Sequence, residues 1–247
     1  MNKLIKRLLD LIISVIGVIL SSPLILFVAI AVFLQDRKTP FYFAPRVGKN
    51  GNEFTMFKIR TMVVDADKSG IDSTSGDDFR ITKLGRIIRK SKIDELTQLL
   101  NVLKGEMSLV GPRPNVKRDT DIYTNAEKKL LSVKPGITDF ASIVFADEGE
   151  ILSGKENPDI AYNQLIRPGK SELGLFYIKN SNVKIDIAII TATIISIFSR
   201  SAALKINVDI LKKLNAPIDL IDTAKRNQKL FPKPPPGSNQ IVTSRIL

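Results

Sequence analysis

The feature that most constrains this chain is a long run near its N-terminus without a charged side chain. Residues 11–35 read LIISVIGVILSSPLILFVAIAVFLQ. About 20 consecutive apolar residues are enough to cross the hydrocarbon core of a bilayer, and core helices seldom carry so long a run. The run lacks the small-residue cleavage site of a secretory signal peptide, and a long polar sequence follows it. We therefore expect residues 1–36 to contain a membrane helix.

The charges that flank this run leave its topology open. Positive residues mark the cytoplasmic side of short flanking segments, and here both flanks carry them: Lys3, Lys6, Arg7, Arg37, Lys38, Arg46 and Lys49. Ser22 and Pro23 lie at the centre, where the proline predicts a kink because it lacks a backbone donor and clashes with the preceding turn. A re-entrant helix that bends at Ser22-Pro23 accounts for both observations. A kinked helix that crosses the membrane is the alternative.

Two groups of polar residues are expected to stabilise this helix. Lys6, Arg7 and Asp10 lie where the helix would enter the membrane, and Asp10 is within one turn of either cation. We therefore expect Lys6 or Arg7 to pair with the Asp10 carboxylate. Ser22 is expected to bond a backbone group that Pro23 leaves free.

The composition restricts the chemistry that is available to the rest of the chain. Of 247 residues, 37 are Lys or Arg and 25 are Asp or Glu, and the resulting formal charge of +12 favours an anionic partner. The sequence has no histidine and no cysteine, which excludes Ser-His and Cys-His nucleophiles and most zinc sites. Aromatic residues make up only 6%, so we do not expect nucleic acid as the partner. An enzyme of this composition would depend on carboxylates, Lys, Tyr, Ser or Thr.

The sequence pattern predicts a mixed, helix-rich α/β fold with a few short strands and interfacial amphipathic helices. We divide the chain into a re-entrant membrane helix, a compact cytoplasmic domain, and a C-terminal helical extension with a disordered tail: residues 1–36, 37–200 and 201–247. Residues 41–62 predict two strands around a turn at 48–51. Residues 63–77 predict a mobile loop. The apolar stretch 185–199 is short for a second span, which favours a core or interfacial helix.

Two adjacent acids, Asp94 and Glu95, have both a structural and a chemical interpretation. Apolar residues at helical spacing follow Ser91, and Ser91 with Asp94 resembles a capping box. Gly105 is a suitable residue to end the helix. Acids in a first helical turn are also favoured by the helix dipole. On this stretch alone, a purely structural role is the competing interpretation.

Basic residues surround this pair in the sequence. Arg113 is fixed between Pro112 and Pro114, and its guanidinium is suited to bidentate contact with phosphate. The other basic and polar candidates come from two stretches: Lys58, Arg60, Thr61, Arg80, Arg86, Arg89 and Lys90. A solvated charged face is the alternative interpretation of this cluster.

Taken in order, these stretches resemble the bacterial sugar transferases known as monotopic phosphoglycosyl transferases. The series is Lys6-Arg7-Asp10, Ser22-Pro23, RVGKNG (46–51), FKIRTM (57–62), DFRITKLGRIIRKSKIDELTQLLNVLKGEMSLVGPRP (78–114) and KPGIT (134–138). The sequence departs from the family pattern at Thr97, where proline is expected, and at Asp139, where glycine is usual. The second departure falls in a loop expected to face the substrate, so the resemblance does not assign the sugar.

The resemblance implies an enzyme on the cytoplasmic face of the bacterial cytoplasmic membrane. Such an enzyme transfers a phosphosugar from a UDP-sugar to polyprenyl phosphate, releases UMP and requires Mg²⁺. The roles carried over are Asp94 as nucleophile and Glu95 as supporting carboxylate, both near the metal. The expected phosphate and nucleotide contacts are Lys58, Arg60, Thr61, Arg80, Arg86, Arg89, Gln98 and Arg113. Two alternatives stay open, a non-enzymatic membrane module that binds anionic lipid and a hydrolase that uses water as acceptor.

Overall fold

The whole apolar run lies in one helix of the computed structural model, which describes residues 3–244. This helix, α1, extends from Lys3 to Asp36. Within the described residues it is the one helix long and apolar enough to cross a membrane. The remaining helices are α2 Lys83–Lys90, α3 Leu99–Lys104, α4 Lys117–Asp121, α5 Phe140–Val144, α6 Glu148–Leu152, α7 Pro158–Ala161, α8 Arg167–Asn180, α9 Val183–Phe198, α10 Arg200–Lys213 and α11 Ile218–Lys225.

The helical backbone of α1 continues through Pro23, so the bend predicted at Ser22-Pro23 does not interrupt the helix. Pro23 has no N–H to donate to the Ile19 carbonyl one turn earlier. Ser22 Oγ donates to this carbonyl oxygen at 2.9 Å. The expectation that Ser22 satisfies a group freed by the proline is confirmed.

The N-terminal end of α1 is bound to the globular domain. The Arg7 guanidinium donates to the carbonyl oxygens of Val102 and Leu103, at 2.6 and 2.9 Å, in the last turn of α3. The Asp10 carboxylate accepts the Leu109 N–H at 3.1 Å. The predicted pairing of Asp10 with Lys6 or Arg7 is therefore wrong, because each of these side chains has a partner in the domain.

Lys6 also has its partners in the globular domain. Its ammonium lies 2.6 Å from the Asp186 carboxylate of α9 and donates to the Val110 carbonyl at 3.0 Å. Tyr177 also donates to Asp186, at 2.6 Å. The start of α1 is thereby fixed to a buried polar cluster.

The C-terminal end of α1 is bound to the same domain. Asp36 accepts two hydrogen bonds from the Arg60 guanidinium, at 2.6 and 2.7 Å. Between the two ends, Val28 and Val32 pack against Ile59 and Ile88. The opposite face of α1 leaves large apolar side chains exposed, including Ile12, Ile19, Leu20, Leu26, Phe27 and Leu34.

Two small sheets support the segments that carry the motifs. Strands β1 (Phe41–Val47) and β2 (Glu53–Ile59) form the predicted antiparallel hairpin. Its turn places Asn50 and Gly51 at positive φ, 59° and 80°. Strands β3 (Ser108–Val110) and β4 (Gly136–Thr138) pair in parallel. The motif KPGIT thus contributes a short strand.

The main hydrophobic core crosses the predicted boundary at residue 200. Phe140, Ile143, Leu173 and Ile189 are fully or almost fully buried in it. Helices α10 and α11 add Ala203, Val208, Leu211, Leu220 and Ala224 to the same core. The two helices expected in the C-terminal extension are present, but they belong to the packing unit of the preceding domain.

The described part of the tail is bound to the domain surface, in contrast to the expectation of disorder. The Gln164 side chain donates to the Val242 carbonyl at 2.8 Å. The backbone carbonyl of Gln164 accepts the backbone N–H of Lys233 at 3.0 Å. Thr124 Oγ1 donates to the Pro236 carbonyl. Prolines with fixed φ lose little backbone entropy when such a segment is ordered, which linker composition alone did not indicate.

Candidate active site

Asp94 and Glu95 lie on a 3₁₀ segment, Ile93–Gln98, that precedes α3. The predicted capping box at Ser91 is not formed, because Ser91 Oγ donates back to the Ile87 and Ile88 carbonyls at the end of α2. Lys92 instead precedes the segment in the left-handed region, at φ 55°. Gly105, at φ 85°, ends α3 as predicted.

Strand β2 holds this segment in place. Thr97 Oγ1 donates to the Phe57 carbonyl at 2.9 Å, so the residue that departs from the family pattern makes a bond that proline could not. Asn101 accepts the Phe57 N–H at 2.9 Å and donates to the Thr55 carbonyl at 2.7 Å. Asn101 was not among the residues predicted from sequence, although a polar amide in an otherwise apolar helix was a usable signal.

Two cations contact the acid pair. Lys58, from β2, lies 3.1 Å from the Asp94 carboxylate and 3.7 Å from that of Glu95. Arg113 contacts both oxygens of Glu95 through its two terminal nitrogens, one of them at 3.2 Å. The Asp94 side chain is buried, with 5% of its surface exposed. The arrangement is a pair of carboxylates, here called the dyad, held between a lysine and an arginine.

The cations determine the charge state of Glu95. Burial raises the pKa of its carboxyl group, but the attraction of Arg113 and Lys58 outweighs burial and lowers that pKa to about 2. The negative charge of Glu95 in turn raises the pKa of Arg113. Glu95 is therefore an anion near neutral pH, and it keeps Arg113 in place by a charge-assisted fork.

Arg89 and Thr61 form a further part of the site. Arg89 Nε donates to Thr61 Oγ1 at 2.8 Å. Burial lowers the pKa of Arg89, while the charges of Asp94 and Asp78 oppose that effect. Lys92, next to the dyad in the chain, is also partly buried, and burial lowers its pKa. Lys92 was not among the predicted contacts, although its place in the sequence could have suggested it.

Three of the predicted phosphate contacts do not reach the dyad. Arg60 pairs with Asp36 at the end of α1. Arg80 pairs with Asp78 and donates to Ser69 Oγ and the Ile71 carbonyl, so it organises the segment predicted as a mobile loop. Arg86 is exposed on α2, whose buried face carries Gly85 and Ile88. The family resemblance grouped these arginines as phosphate contacts, but the directions of their side chains separate them from the dyad.

Gln98 is the last residue of the 3₁₀ segment that carries the dyad, here called the dyad segment, and its side chain lies in the interior. Its side chain is fully buried, and within residues 3–244 neither its amide nitrogen nor its amide oxygen has a hydrogen-bond partner. A buried amide without partners is costly. The predicted direct contact of Gln98 with a nucleotide does not agree with this burial.

The dyad is chemically suitable for Mg²⁺. The ion prefers oxygen ligands and commonly uses one or two carboxylates together with substrate phosphates. Within the described part of the chain, no cluster of three or more His, Cys, Asp or Glu side chains offers a complete protein cage. Asp94 and Glu95 are the adjacent carboxylates that could hold the ion, with phosphate oxygens completing its coordination.

An apolar groove lies between α1 and the dyad segment. It has a volume of about 510 Å³, which is within the range of about 300–1,000 Å³ that is common for ligand pockets. One wall of the groove is formed by residues that follow the dyad in the chain: Leu96, Thr97 and Leu100. The other wall comes from α1 and the start of β1, including Ser22, Ile25, Ala29, Phe33 and Phe41.

Comparison with known proteins places the chain in a family. The family model described as bacterial sugar transferase matches residues 1–200. An uncharacterized sugar transferase, EpsL, of Bacillus subtilis is 37% identical over 77% of this chain and 86% of its own length.

Two longer relatives have more specific names. A UDP-N-acetylgalactosamine-undecaprenyl-phosphate N-acetylgalactosaminephosphotransferase of Aeromonas hydrophila is 33% identical over 79% of this chain. An undecaprenyl-phosphate glucose phosphotransferase of Komagataeibacter xylinus is 39% identical over 80% of this chain. The matches cover 44% and 36% of these two proteins, so the chain spans less than half of their length. The fold, the dyad and these matches together identify the chain as a member of the bacterial sugar transferase family.

Proposed function

We propose that this protein transfers a phosphosugar from a UDP-sugar to a polyprenyl phosphate in the membrane and releases UMP. The observation that carries the proposal is the dyad, held between Lys58 and Arg113 beside an apolar groove. A module that only bound anionic lipid would need exposed basic residues. It would not need a buried carboxylate that contacts a lysine, nor a second carboxylate beside it that binds an arginine.

The proposed first step is nucleophilic attack by Asp94. Its carboxylate oxygen attacks the phosphorus that carries the sugar, and the bond from that phosphorus to the bridging oxygen of UMP breaks. An acyl phosphate forms on Asp94, and UMP leaves as the anion. A phosphate oxygen of the polyprenyl phosphate then attacks the same phosphorus and frees the Asp94 carboxylate. No oxidant, reductant or histidine is required.

The neighbouring side chains have distinct roles in this proposal. Lys58 leaves the Asp94 carboxylate as the donor binds, so that the positive charge moves toward the diphosphate. Arg89 and Arg113 offset the charge of the phosphates and of the departing UMP. Glu95 remains ionised and orients Arg113, and with Asp94 it would hold Mg²⁺. When bound, the ion would supply further charge neutralisation at the phosphate oxygens.

We place the acceptor in the apolar groove between α1 and the dyad segment. A polyprenyl chain is entirely apolar, and the groove is lined by aliphatic and aromatic side chains. Its wall at Leu96 and Thr97 directly follows Glu95. A lipid in the groove would therefore bring its phosphate to the dyad while its tail stays beside α1.

We propose that α1 enters and leaves the membrane by the cytoplasmic face. Support comes from its two ends, since Arg7 and Asp10 at one end and Asp36 at the other all bind the same domain. A helix that crossed a hydrocarbon core of about 30 Å would place these ends on opposite sides of the membrane. The basic flanks favour the cytoplasm as the common side.

A UMP-release assay over a panel of UDP-sugars tests the function. With polyprenyl phosphate and Mg²⁺ present, at least one donor should give sustained release, and Asp94→Asn should abolish it. Asp121→Asn is the matched control, because Asp121 pairs with Lys117 on the surface away from the dyad. Its rate should match wild type. Sustained release without lipid would favour the hydrolase, and no release from any UDP-sugar would contradict the proposal.

A further inference from the structure

A small polar pocket shares Arg113 with the dyad. It has a volume of about 30 Å³, and Asp139, Ser142, Tyr162 and Lys170 are among the residues that line it. A water molecule needs about 10–15 Å³ of such space. The pocket can therefore hold one or two groups of water size, but not a sugar ring.

Asp139 is the pocket residue with unused hydrogen-bonding capacity. It is 2% exposed, and its Oδ1 accepts both the N–H and the hydroxyl of Ser142, at 2.7 and 2.6 Å. Its Oδ2 has no hydrogen-bond partner within residues 3–244. Burial penalises the charged form of this carboxyl group and raises its pKa. A ligand that donates a hydrogen bond to Oδ2 would offset this penalty.

The positive groups of the pocket do not neutralise Asp139 by direct contact. Lys170 pairs with Glu148, and its ammonium lies 5.2 Å from the centre of the Tyr162 ring. Arg113 is bound to Glu95, and Arg167 to Glu127. Within the described residues, none of these three cations forms an ion pair with Asp139. The free carboxylate oxygen can therefore act as an acceptor for an incoming O–H or N–H group.

The proposed chemistry indicates which part of the donor comes close to this pocket. Asp94 attacks the phosphorus that carries the sugar, so the sugar is attached directly to the reacting atom. UMP departs on the side opposite the nucleophile in an in-line displacement. A pocket that shares Arg113 with the dyad is thus within reach of a group attached to that phosphorus.

We propose that this pocket is a subsite for one small polar substituent of the donor sugar, a hydroxyl or amino group that donates to Asp139. The proposal rests on the function proposed above and deepens it. The ring itself stays outside the pocket, and the carboxylate selects donors that present a hydrogen at this position. Donors with a carbonyl or carboxylate oxygen at the same position would be rejected by repulsion between acceptors.

The test uses the full chain in detergent and compares kcat/KM for the best UDP-sugar with that of analogues deoxygenated at one position each. In wild type, kcat/KM for one analogue should be about tenfold or more below that of the best UDP-sugar. A site built to bind a substrate hydroxyl discriminates strongly against its absence. Asp139→Ser and Asp139→Asn both keep a residue type that can cap α5. Asp139→Ser should reduce this discrimination at least tenfold. Asp139→Asn, which can present an N–H instead, should reduce it as well.

The control is Asn182→Ser, which changes the cap of α9 away from the pocket and should leave the ratios unchanged. If the ratio of kcat/KM between the best donor and its analogue were the same in wild type and in folded Asp139 variants, the subsite would be overturned. The Asp139 carboxylate would then be a helix cap only. A uniform loss of turnover for all donors in the folded variants would also overturn the subsite. Release of UMP in these experiments would still support the proposed function, whereas no release from wild type with any donor would contradict both.

Discussion

Arg113 connects the two halves of the proposed donor site. Its guanidinium binds the Glu95 carboxylate with two nitrogens and also lines the polar pocket at Asp139. Pro112 and Pro114 restrict the backbone on both sides. The fork geometry therefore matters as much as the charge, because a lysine ammonium cannot reproduce two parallel contacts.

Arg113→Lys is expected to lower the rate of UMP release by at least about tenfold, which corresponds to about 1.4 kcal/mol in the transition state. The loss should appear in kcat, because the charge that attracts the donor is kept. Steady-state kinetics with the preferred UDP-sugar measure this effect. Arg86→Lys, on the exposed face of α2, is the matched control and should behave as wild type. Full activity of Arg113→Lys would show that the fork geometry is not required for turnover.

Helix α1 is the element with the largest functional consequence. Its ends are fixed by polar contacts to one domain, and its exposed face is apolar over most of its length. The Ser22 hydroxyl supports the backbone where Pro23 cannot donate. A membrane anchor of this kind would hold the dyad at a constant depth, which suits an acceptor whose phosphate stays at the interface.

Topology can be measured directly, because the sequence has no native cysteine. Single cysteines at Lys3 and at Lys49 should both be labelled by a membrane-impermeant maleimide only when the cytoplasmic side is exposed. A cysteine at Lys179 provides the control for the domain side. Pro23→Ala should yield a mixture of topologies, because the backbone donor is restored and a straight helix becomes favourable. Labelling of positions 3 and 49 from opposite sides would contradict the re-entrant arrangement.

The molecule as a whole is a single packing unit that extends beyond the family match at residue 200. Leu211 and Ala224 are fully buried in the same core as Phe140 and Leu173. Removing one large core side chain costs about 2–5 kcal/mol, whereas a whole domain is stable by only about 5–15 kcal/mol. Loss of α10 and α11 would therefore remove more stabilising free energy than the domain has.

A chain that ends at residue 200 is accordingly expected to show no cooperative thermal unfolding by circular dichroism in detergent. A chain that ends at residue 227 keeps both helices but loses the tail, including its contacts to Gln164 and Thr124 and the packing of Leu230 against the core. It should unfold cooperatively, a few degrees below the full chain. An unchanged transition in the shorter chain would show that α10 and α11 are dispensable for the core.

The parts of this molecule that the sequence predicted are those encoded by local pattern. The length of the apolar run predicted α1, and the strand-like pattern on both sides of the turn at 48–51 predicted the hairpin. The parallel pairing of β3 with β4, the bound tail and the pocket at Asp139 depend on residues far apart in the chain, which no local period reveals. The dyad and its partners Lys58 and Arg113 were predicted by motif. Arg60, Arg80 and Arg86 came from the same motif, but their side chains point away from the dyad, toward Asp36, Asp78 and solvent.

The central claim is that Asp94 becomes covalently bound to the phosphosugar. The most direct measurement incubates the protein with Mg²⁺ and a UDP-sugar labelled in the phosphate that carries the sugar, without lipid acceptor, and maps the labelled peptide after an acid quench. We expect stoichiometric label on Asp94, its removal by added polyprenyl phosphate, and no label in Asp94→Asn. Asp121→Asn should label as wild type does. Label on another residue, or UMP release at the wild-type rate from Asp94→Asn, would contradict the account.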